Sequence, residues 1–320
     1  MRYTWSIGLD LHAYRQRSLN VAKIHIGCGQ ITWVRFGPNG AEWLAPEDDV
    51  LGQIAQAGYE GAPCGPEDNR SDAETLAMYK RHGLTPAPAY YGTAFWEKSR
   101  RAEFVEKAKR YASFASAAGC DTLYVAPGGF EYVTRRGLTR SQTAGHVRPE
   151  DALTDDQYNV FAENLNAVGA ATLAHGVSIA FHNHVGTVIE TRAETDRLLA
   201  LTDPNVVFLG PDTGHMQWAG DDAVAFVCDY AARIKTMHLK DINESVRAQG
   251  AAAAWDYGTF TKHGIFAELG EGCIDFAAII NALKAVNFSG WLITETDITQ
   301  KATPLESVTI SRNYLRQFGL

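Results

Sequence analysis

The stretch PDTGHMQWAGDDAVAFVCDYAARIKTMHLKD, Pro211 to Asp241, decides how the chain is read. The apolar run Val206-Val207-Phe208-Leu209 leads into it and stops at Asp212-Thr213-Gly214-His215. A segment of helical character follows, and then a second short run closes on His238-Leu239-Lys240-Asp241. This is strand, helix, strand, with polar groups gathered where each strand ends. Short apolar runs that stop at Asp or His are the mark of parallel α/β strands whose C-terminal tips carry chemistry.

Working outward, the same unit recurs. Val177 to Phe181 reads as a strand that ends in His182-Asn183-His184, and a helix from Glu190 to Leu201 follows it. Gly290 to Thr294 is a strand that ends at Glu295, with a final helix from Leu305 to Phe318. Upstream lie a strand at Lys23–Cys28, a short second strand into which Gly58-Tyr59-Glu60-Gly61 turns, and strands at Leu84–Tyr91 and Asp121–Ala126, the third weakened by Pro86 and Pro88. Between them, helices are expected over Asp49–Ala57, Ser71–His82, Phe95–Ala118 and Thr154–His175. Ser71 with Glu74 three residues on is a capping box, and Gly83 is a stop signal. Pro127–Pro149 is expected to be a long loop over the strand tips and Ser245–Leu269 a long insertion. Eight alternating strand-helix pairs predict a (β/α)8 TIM barrel, one domain over residues 1–320, with a possible N-terminal arm at 1–20.

A chain of 320 residues is long enough for such a barrel. Its net charge of −8, with no basic block, argues against nucleic acid as a partner. No apolar run approaches the roughly 18 residues of a membrane span. The beginning does not read as a signal peptide, and the five scattered cysteines read as reduced thiols filling the core, so a cytoplasmic enzyme is expected. There is no Gly-rich dinucleotide fingerprint, so no redox cofactor is expected.

Strands five to eight thus end in His182-Asn183-His184, Asp212-x-x-His215, His238-x-Lys240-Asp241 and Glu295. The two-residue period puts His238 and Lys240 on one face, and His182 and His184 on another. Carboxylates and imidazoles that converge on a barrel axis suit a divalent ion: Mn²⁺ or Co²⁺ first, with Mg²⁺ and Zn²⁺ as alternatives. Each residue also has a blander role. Asp212 suits a helix N-cap, Lys240-Asp241 a surface ion pair, and Trp33, Trp96, Trp218, Trp255 and Tyr257 suit either packing or the wall of a sugar-sized pocket.

At these residues the chain resembles the xylose-isomerase-like sugar isomerase/epimerase superfamily and, within it, the inosose dehydratase family. The resemblance rests on His182-Asn183-His184-Val185-Gly186-Thr187, Asp212-Thr213-Gly214-His215, Arg233 to Asp241, Gly264-Ile265-Phe266, Gly270 to Phe276, and Gly290-Trp291 with Glu295. It covers Val177 to Leu320. It implies a metal held by Asp212, His238 and Glu295, with His182 at the place where the superfamily carries Glu. Glu190 is the candidate to restore that carboxylate. The superfamily's epimerases use a strand-five carboxylate as acid/base, which this chain lacks. The implied activity is loss of water next to the ketone of a keto-cyclitol or keto-sugar. His184 or His182 would be the base, His215 would orient substrate or donate a proton, and Lys240 would stabilise negative charge. Alternatives are isomerisation or epimerisation of a keto-sugar, β-elimination from 3-keto-glycosides (C-glycosides included), and a non-catalytic carbohydrate-binding barrel. A homo-oligomer or a partner subunit is a further expectation.

Overall fold

The computed structural model describes residues 23–37 and 40–320. The expected arm at 1–20 lies outside the described residues. Eight parallel strands form the barrel: β1 (Ile24–Cys28), β2 (Gly61–Pro63), β3 (Thr85–Ala87 continued by Tyr90–Thr93), β4 (Thr122–Pro127), β5 (Ser178–Phe181), β6 (Val207–Leu209), β7 (Thr236–Leu239) and β8 (Gly290–Thr294). β1 pairs with β8 and β2, and β8 pairs with β7. β4 pairs with β3 and β5, and β5 with β6.

Two seams complete the ring. β3 is broken at Pro88, which has no N–H for the ladder; its first half pairs with β2 and its second with β4. β6 and β7 are joined by Lys235 N–H to Leu209 O and His238 N–H to Pro211 O, each at 2.9 Å, and by a bridge between Asp212 and His238. That second seam sets the two residues side by side.

The strands are largely buried, as expected for a sheet covered by helices; all of β4 is buried, and Thr85, Tyr90 and Gly92 of β3 are exposed. Inside the ring, Tyr124 donates to or accepts from Thr236 Oγ1 at 2.8 Å. Glycines at 27 and 61 leave room for Trp291 in the interior, since a Cβ at Gly61 would lie 2.6 Å from its ring. Outside, α1 (Glu47–Ala57) turns Val50, Leu51 and Ile54 inward, and α2 (Asp72–Arg81) opens with the expected Ser71–Glu74 capping box. α3 (Arg101–Ala117), α4 (Asp155–Leu173), α5 (Arg192–Leu201), α6 (Ala223–Tyr230), α7 (Phe276–Ala285) and α8 (Pro304–Arg316) complete the outer layer.

Several expectations need correction. The helix expected from Phe95 begins at Arg101, because the Phe95 and Glu97 carbonyls turn away to accept from Asn164 Nδ2. The insertion after β7 is ordered: two short helices (Glu244–Ala252, Tyr257–Lys262) and a strand, Phe266–Ala267, antiparallel to Asp241–Ile242. It builds a second core of Val185, Trp218, Phe260 and Ile265. An antiparallel pair, Val34–Gly37 with Gly40–Trp43, follows β1 and is not evident in the sequence pattern. All five cysteines are free, but Cys228 and Cys273 are exposed and fill no core.

Candidate active site and metal centre

β6, β7 and β8 deliver Asp212, His238 and Glu295 to one point. One donor atom from each lies within 4.8 Å of the others. His238 Nδ1 is 3.1 Å from Glu295 Oε2 and 3.7 Å from Asp212 Oδ2. Asp212 is the helix N-cap that its position suggested, and the cap uses only one of its carboxylate oxygens. Its Oδ1 accepts the His215 N–H at 2.9 Å as the N-cap of the helix Thr213–Trp218, while Oδ2 is buried with no well-aligned hydrogen bond. His238 Nδ1 is likewise without one. Both atoms are buried, and their nearest polar neighbours are charged groups of the cluster itself: Lys240 for the carboxylate oxygen and Glu295 for the imidazole nitrogen. Together with Glu295 they are the oxygen and nitrogen donors a divalent transition-metal ion takes.

Lys240 lies within the same cluster rather than on the surface. Its ammonium is 3.1 Å from Asp212 Oδ2, 3.3 Å from Glu295 Oε2 and 2.7 Å from Asp297 Oδ1. It also donates to His215 Nε2 at 3.1 Å. Asp241, its neighbour, points the other way. Its carboxylate accepts from five backbone N–H groups, at Ile242, Gly270, Gly272, Cys273 and Ile274, so a Lys240–Asp241 pair does not form.

The histidines of β5 and β6 divide in two. His182 and His184 line the cavity, whereas His215 is fully buried behind Lys240, its ring 3.7 Å from that of His184. That placement does not bring His215 to a substrate directly. Carbonyls fix two of the tautomers: His184 Nδ1 donates to Val185 O at 2.7 Å, and His182 Nδ1 to Gly210 O at 3.3 Å. In each ring Nε2 keeps its lone pair. Glu190 is not brought to the site. Its oxygens accept the Gly145 and Gly186 N–H groups at 2.7 and 2.8 Å and face Arg140, so it fastens the loop over the barrel instead of replacing the missing ligand.

Asp297 and Tyr90 belong to the site but do not stand out in the sequence. The two-residue alternation beyond Glu295 is the signal that points to Asp297. Tyr90 is found only through the second half of β3; its ring meets His182 edge-on and stacks over His238. Of the five aromatics considered, Tyr257 alone lines the main cavity; Trp33 and Trp218 are core residues. The cavity occupies about 1060 Å³ at the C-terminal ends of the strands, where Gln30, Pro63, Tyr90, His182, His238 and Glu295 converge.

Charge follows burial and contact. Burial holds the His184 imidazolium down to about 4, and holds His182 and His215 well below the usual histidine range, so all three are neutral near pH 7. Burial would also lower His238, but the Glu295 and Asp212 carboxylates outweigh it and raise the group to about 9. For Asp212, the cost of burial is overcome first by the Lys240 charge, so it stays ionised. The same neighbourhood separates the last two acids. Glu295 is held to about 2 against burial by His238 and Lys240, while burial and Glu295 raise Asp297 to about 6 despite Lys240.

Residues 44–318 match the xylose isomerase-like TIM barrel family as a single span. The chain belongs to that family. An inosose dehydratase of Geobacillus kaustophilus is 31% identical over 278 residues, which cover 87% of this chain and 88% of that protein. Among solved structures, the 3-keto-D-glucoside 4-epimerase of E. coli superposes with a TM-score of 0.65 at 18% identity, covering 92% of this chain and all of that one. A probable 3-DHS dehydratase of Bacillus anthracis superposes with a TM-score of 0.64 at 15% identity, covering 91% and 98%. These two likenesses concern the fold. The curated relative is an enzyme, a dehydratase, and no helix among the described residues is long and apolar enough to cross a membrane.

Proposed function

We propose that this chain is a metal-dependent dehydratase that removes water next to the ketone of a keto-cyclitol such as an inosose. The observation that carries the reading is the meeting of Asp212, His238 and Glu295 beside two neutral, cavity-facing histidines, in a chain whose relative at 31% identity is an inosose dehydratase. Asp212, His238 and Glu295 would hold the ion, Mn²⁺ or Co²⁺ in preference to Mg²⁺ or Zn²⁺, with the neighbouring His182 as the candidate fourth ligand. An ion there supplies Lewis acidity toward a ketone oxygen and its neighbouring hydroxyl.

The chain's own residues account for the proton movements. His184, neutral and with Nε2 free, is the base for the proton α to the ketone. Lys240, the cation of the cavity floor, stabilises the negative charge that moves onto the ketone oxygen as that C–H bond breaks. Electrons then form the carbon–carbon double bond and expel the β-hydroxyl. It leaves as water with the proton that His184 has taken from carbon. Tyr90, Phe130 and Tyr257 wall the reacting ring from solvent.

A second reading keeps the same enolisation but expels a larger group, as in β-elimination from a 3-keto-glycoside. The cavity volume favours it, together with an apolar rim at Ile31, Val34 and Trp43 that a small cyclitol would leave uncovered. We place the enzyme in the cytoplasm on this reading, acting on a small-molecule substrate. The deciding experiment strips the protein with chelator and reloads it with Mn²⁺ or Co²⁺. It then follows scyllo-inosose, ketohexoses and 3-keto-glycosides in D₂O by mass spectrometry. Metal-dependent loss of one water from the inosose is the expected result. Deuterium uptake without loss of mass would replace the dehydratase by an isomerase or epimerase, and release of an aglycone would replace it by the lyase.

A further inference from the structure

The contact between Lys240 and Asp297 has no part in the donor set itself, yet it decides whether that set is free. The Lys240 ammonium touches Asp212 Oδ2 and Glu295 Oε2, at 3.1 and 3.3 Å, which are two of the three atoms an ion would need. A divalent ion and an ammonium cannot both sit in contact with these oxygens without strong repulsion at so short a range in a buried site. The lysine therefore has to give way when the ion enters. Its stem runs beneath Gly214, where a Cβ would come within 2.6 Å of Lys240 Cγ, so the stem is fixed and the head has little freedom. His215 Nε2 is a neutral acceptor at 3.1 Å, and the Phe266 ring lies 5.5 Å away on another side. Among the described residues, the one anion in reach that lies outside the donor triad is Asp297, at 2.7 Å the nearest of the three. It is buried, its Oδ1 has no well-aligned hydrogen bond, and its ion pair is with Lys240.

We propose that Asp297 is a positioning residue that draws the Lys240 ammonium off Asp212 and Glu295, leaving their oxygens to the metal ion. This rests on the metal reading above. Asp297 then acts on the ion through Lys240, not as a ligand. Without Asp297, the lysine's remaining anionic partners are the ligand carboxylates, and it competes with the ion for them.

Mn²⁺ binding measured by titration calorimetry on the chelator-stripped full chain tests the idea through a double-mutant cycle. Asp297→Asn is expected to weaken Mn²⁺ binding on the order of tenfold, an ordinary coupling between neighbouring charges. Lys240→Met, which keeps the stem and removes the competing charge, is expected to tighten it. In the Lys240→Met background, Asp297→Asn is expected to change binding by less than about twofold. An equal loss from Asp297→Asn in both backgrounds would make Asp297 a ligand or a structural residue and overturn the proposal. Weaker binding in Lys240→Met alone would overturn it as well, with no need of an Asp297 variant. Thermal melting by circular dichroism confirms that each variant is folded, and Asp297→Ser replaces the Asn variant in the cycle if that one is not. Wild-type protein that takes up no Mn²⁺ overturns the metal reading itself, and is recognised because every variant is then silent.

Discussion

Asp212 caps the helix that carries His215 with one carboxylate oxygen: Oδ1 accepts the His215 backbone N–H at 2.9 Å, while Oδ2 faces Lys240, His238 and, at 3.9 Å, the His215 ring. A helix cap and a metal ligand are usually rival explanations of an Asp at a strand-helix junction. Here the short turn from β6 into Thr213–Trp218 sets the carboxylate so that one oxygen caps the helix and the other is left for the ion of the proposed metal site.

The two roles separate by mutation. Asp212→Asn keeps a carbonyl oxygen for the cap but removes the anionic donor, so metal content should fall while the melting temperature stays near wild type. Asp212→Ala should lose metal and about 1 kcal/mol of stability as well. Glu295→Gln and His238→Ala should also lose metal, with kcat/KM down at least roughly 100-fold and the barrel folded. Elemental analysis with circular dichroism on each variant is the check, and full metal content in any of the three positions would remove it from the donor set.

His184 is expected to act on the proton and not on the ion. His184→Gln should lower kcat on the order of 10²–10⁴-fold while leaving metal content unchanged. Exchange of the substrate's α-proton with D₂O should slow in parallel. Retained exchange with lost turnover would move the base to His182 and leave His184 a substrate contact.

The tips of strands five to eight were legible because each apolar run stops at a polar residue, and those polar residues form the candidate site: His182, His184, Asp212, His238, Lys240 and Glu295 lie where the alternation puts them. What was hidden depended on neighbours far away in the chain. Glu190 has the chemistry of a ligand, but its fate is set by the Gly145 and Gly186 amides, and nothing in its local sequence announces them. Lys240 and Asp241 are adjacent, so a pair was a natural expectation; a strand sends neighbours to opposite faces, and the loop at Gly270–Ile274 takes Asp241. The start of α3 was misplaced because Phe95 and Trp96 continue its apolar spacing, while Asn164 on α4 holds the backbone out of the helix.

Asp241 should matter for stability and not for chemistry. Its removal leaves buried or half-buried amides of Gly270, Gly272, Cys273 and Ile274 without their acceptor. Asp241→Ala is expected to cost about 2–5 kcal/mol in urea unfolding, with Mn²⁺ affinity of the folded protein close to wild type. A stable variant with impaired metal binding would place Asp241 in the site after all.

Glu190 gives the fold a pH dependence of its own. Burial raises its carboxyl from 4.5 to about 7, against Arg140 and the Gly186 amide. Between those values the folded chain holds a proton that the unfolded chain has released. The group's contribution is therefore full below about pH 4.5 and is lost as pH rises through about 7, a change on the order of 3 kcal/mol. The stability of wild type relative to Glu190→Gln should decline from pH 5 to pH 8 in paired urea titrations, where other titrating groups cancel. A difference that grows with pH would mean that the Arg140 pair dominates.

Gly29 offers the most direct test of how narrowly the donors are placed. It follows β1 with φ −68°, a conformation any residue adopts, so alanine there brings no backbone strain. A Cβ would nonetheless collide with Glu295: Cγ at 2.6 Å and Cδ at 2.9 Å, with Oε1 nearer still. The glutamate has to move, and its Oε2, now 3.1 Å from His238 Nδ1, moves with it. A misplacement of about 1 Å is enough to cost roughly 100-fold in rate. Gly29→Ala is thus expected to weaken Mn²⁺ binding and lower kcat together, while remaining folded. Gly52→Ala serves as the control, because a Cβ in the middle of α1 meets His82 at an ordinary 3.4 Å. If Gly29→Ala binds Mn²⁺ as tightly as wild type, the ion does not depend on Glu295, and the donor set has to be redrawn around Asp212, His238 and His182.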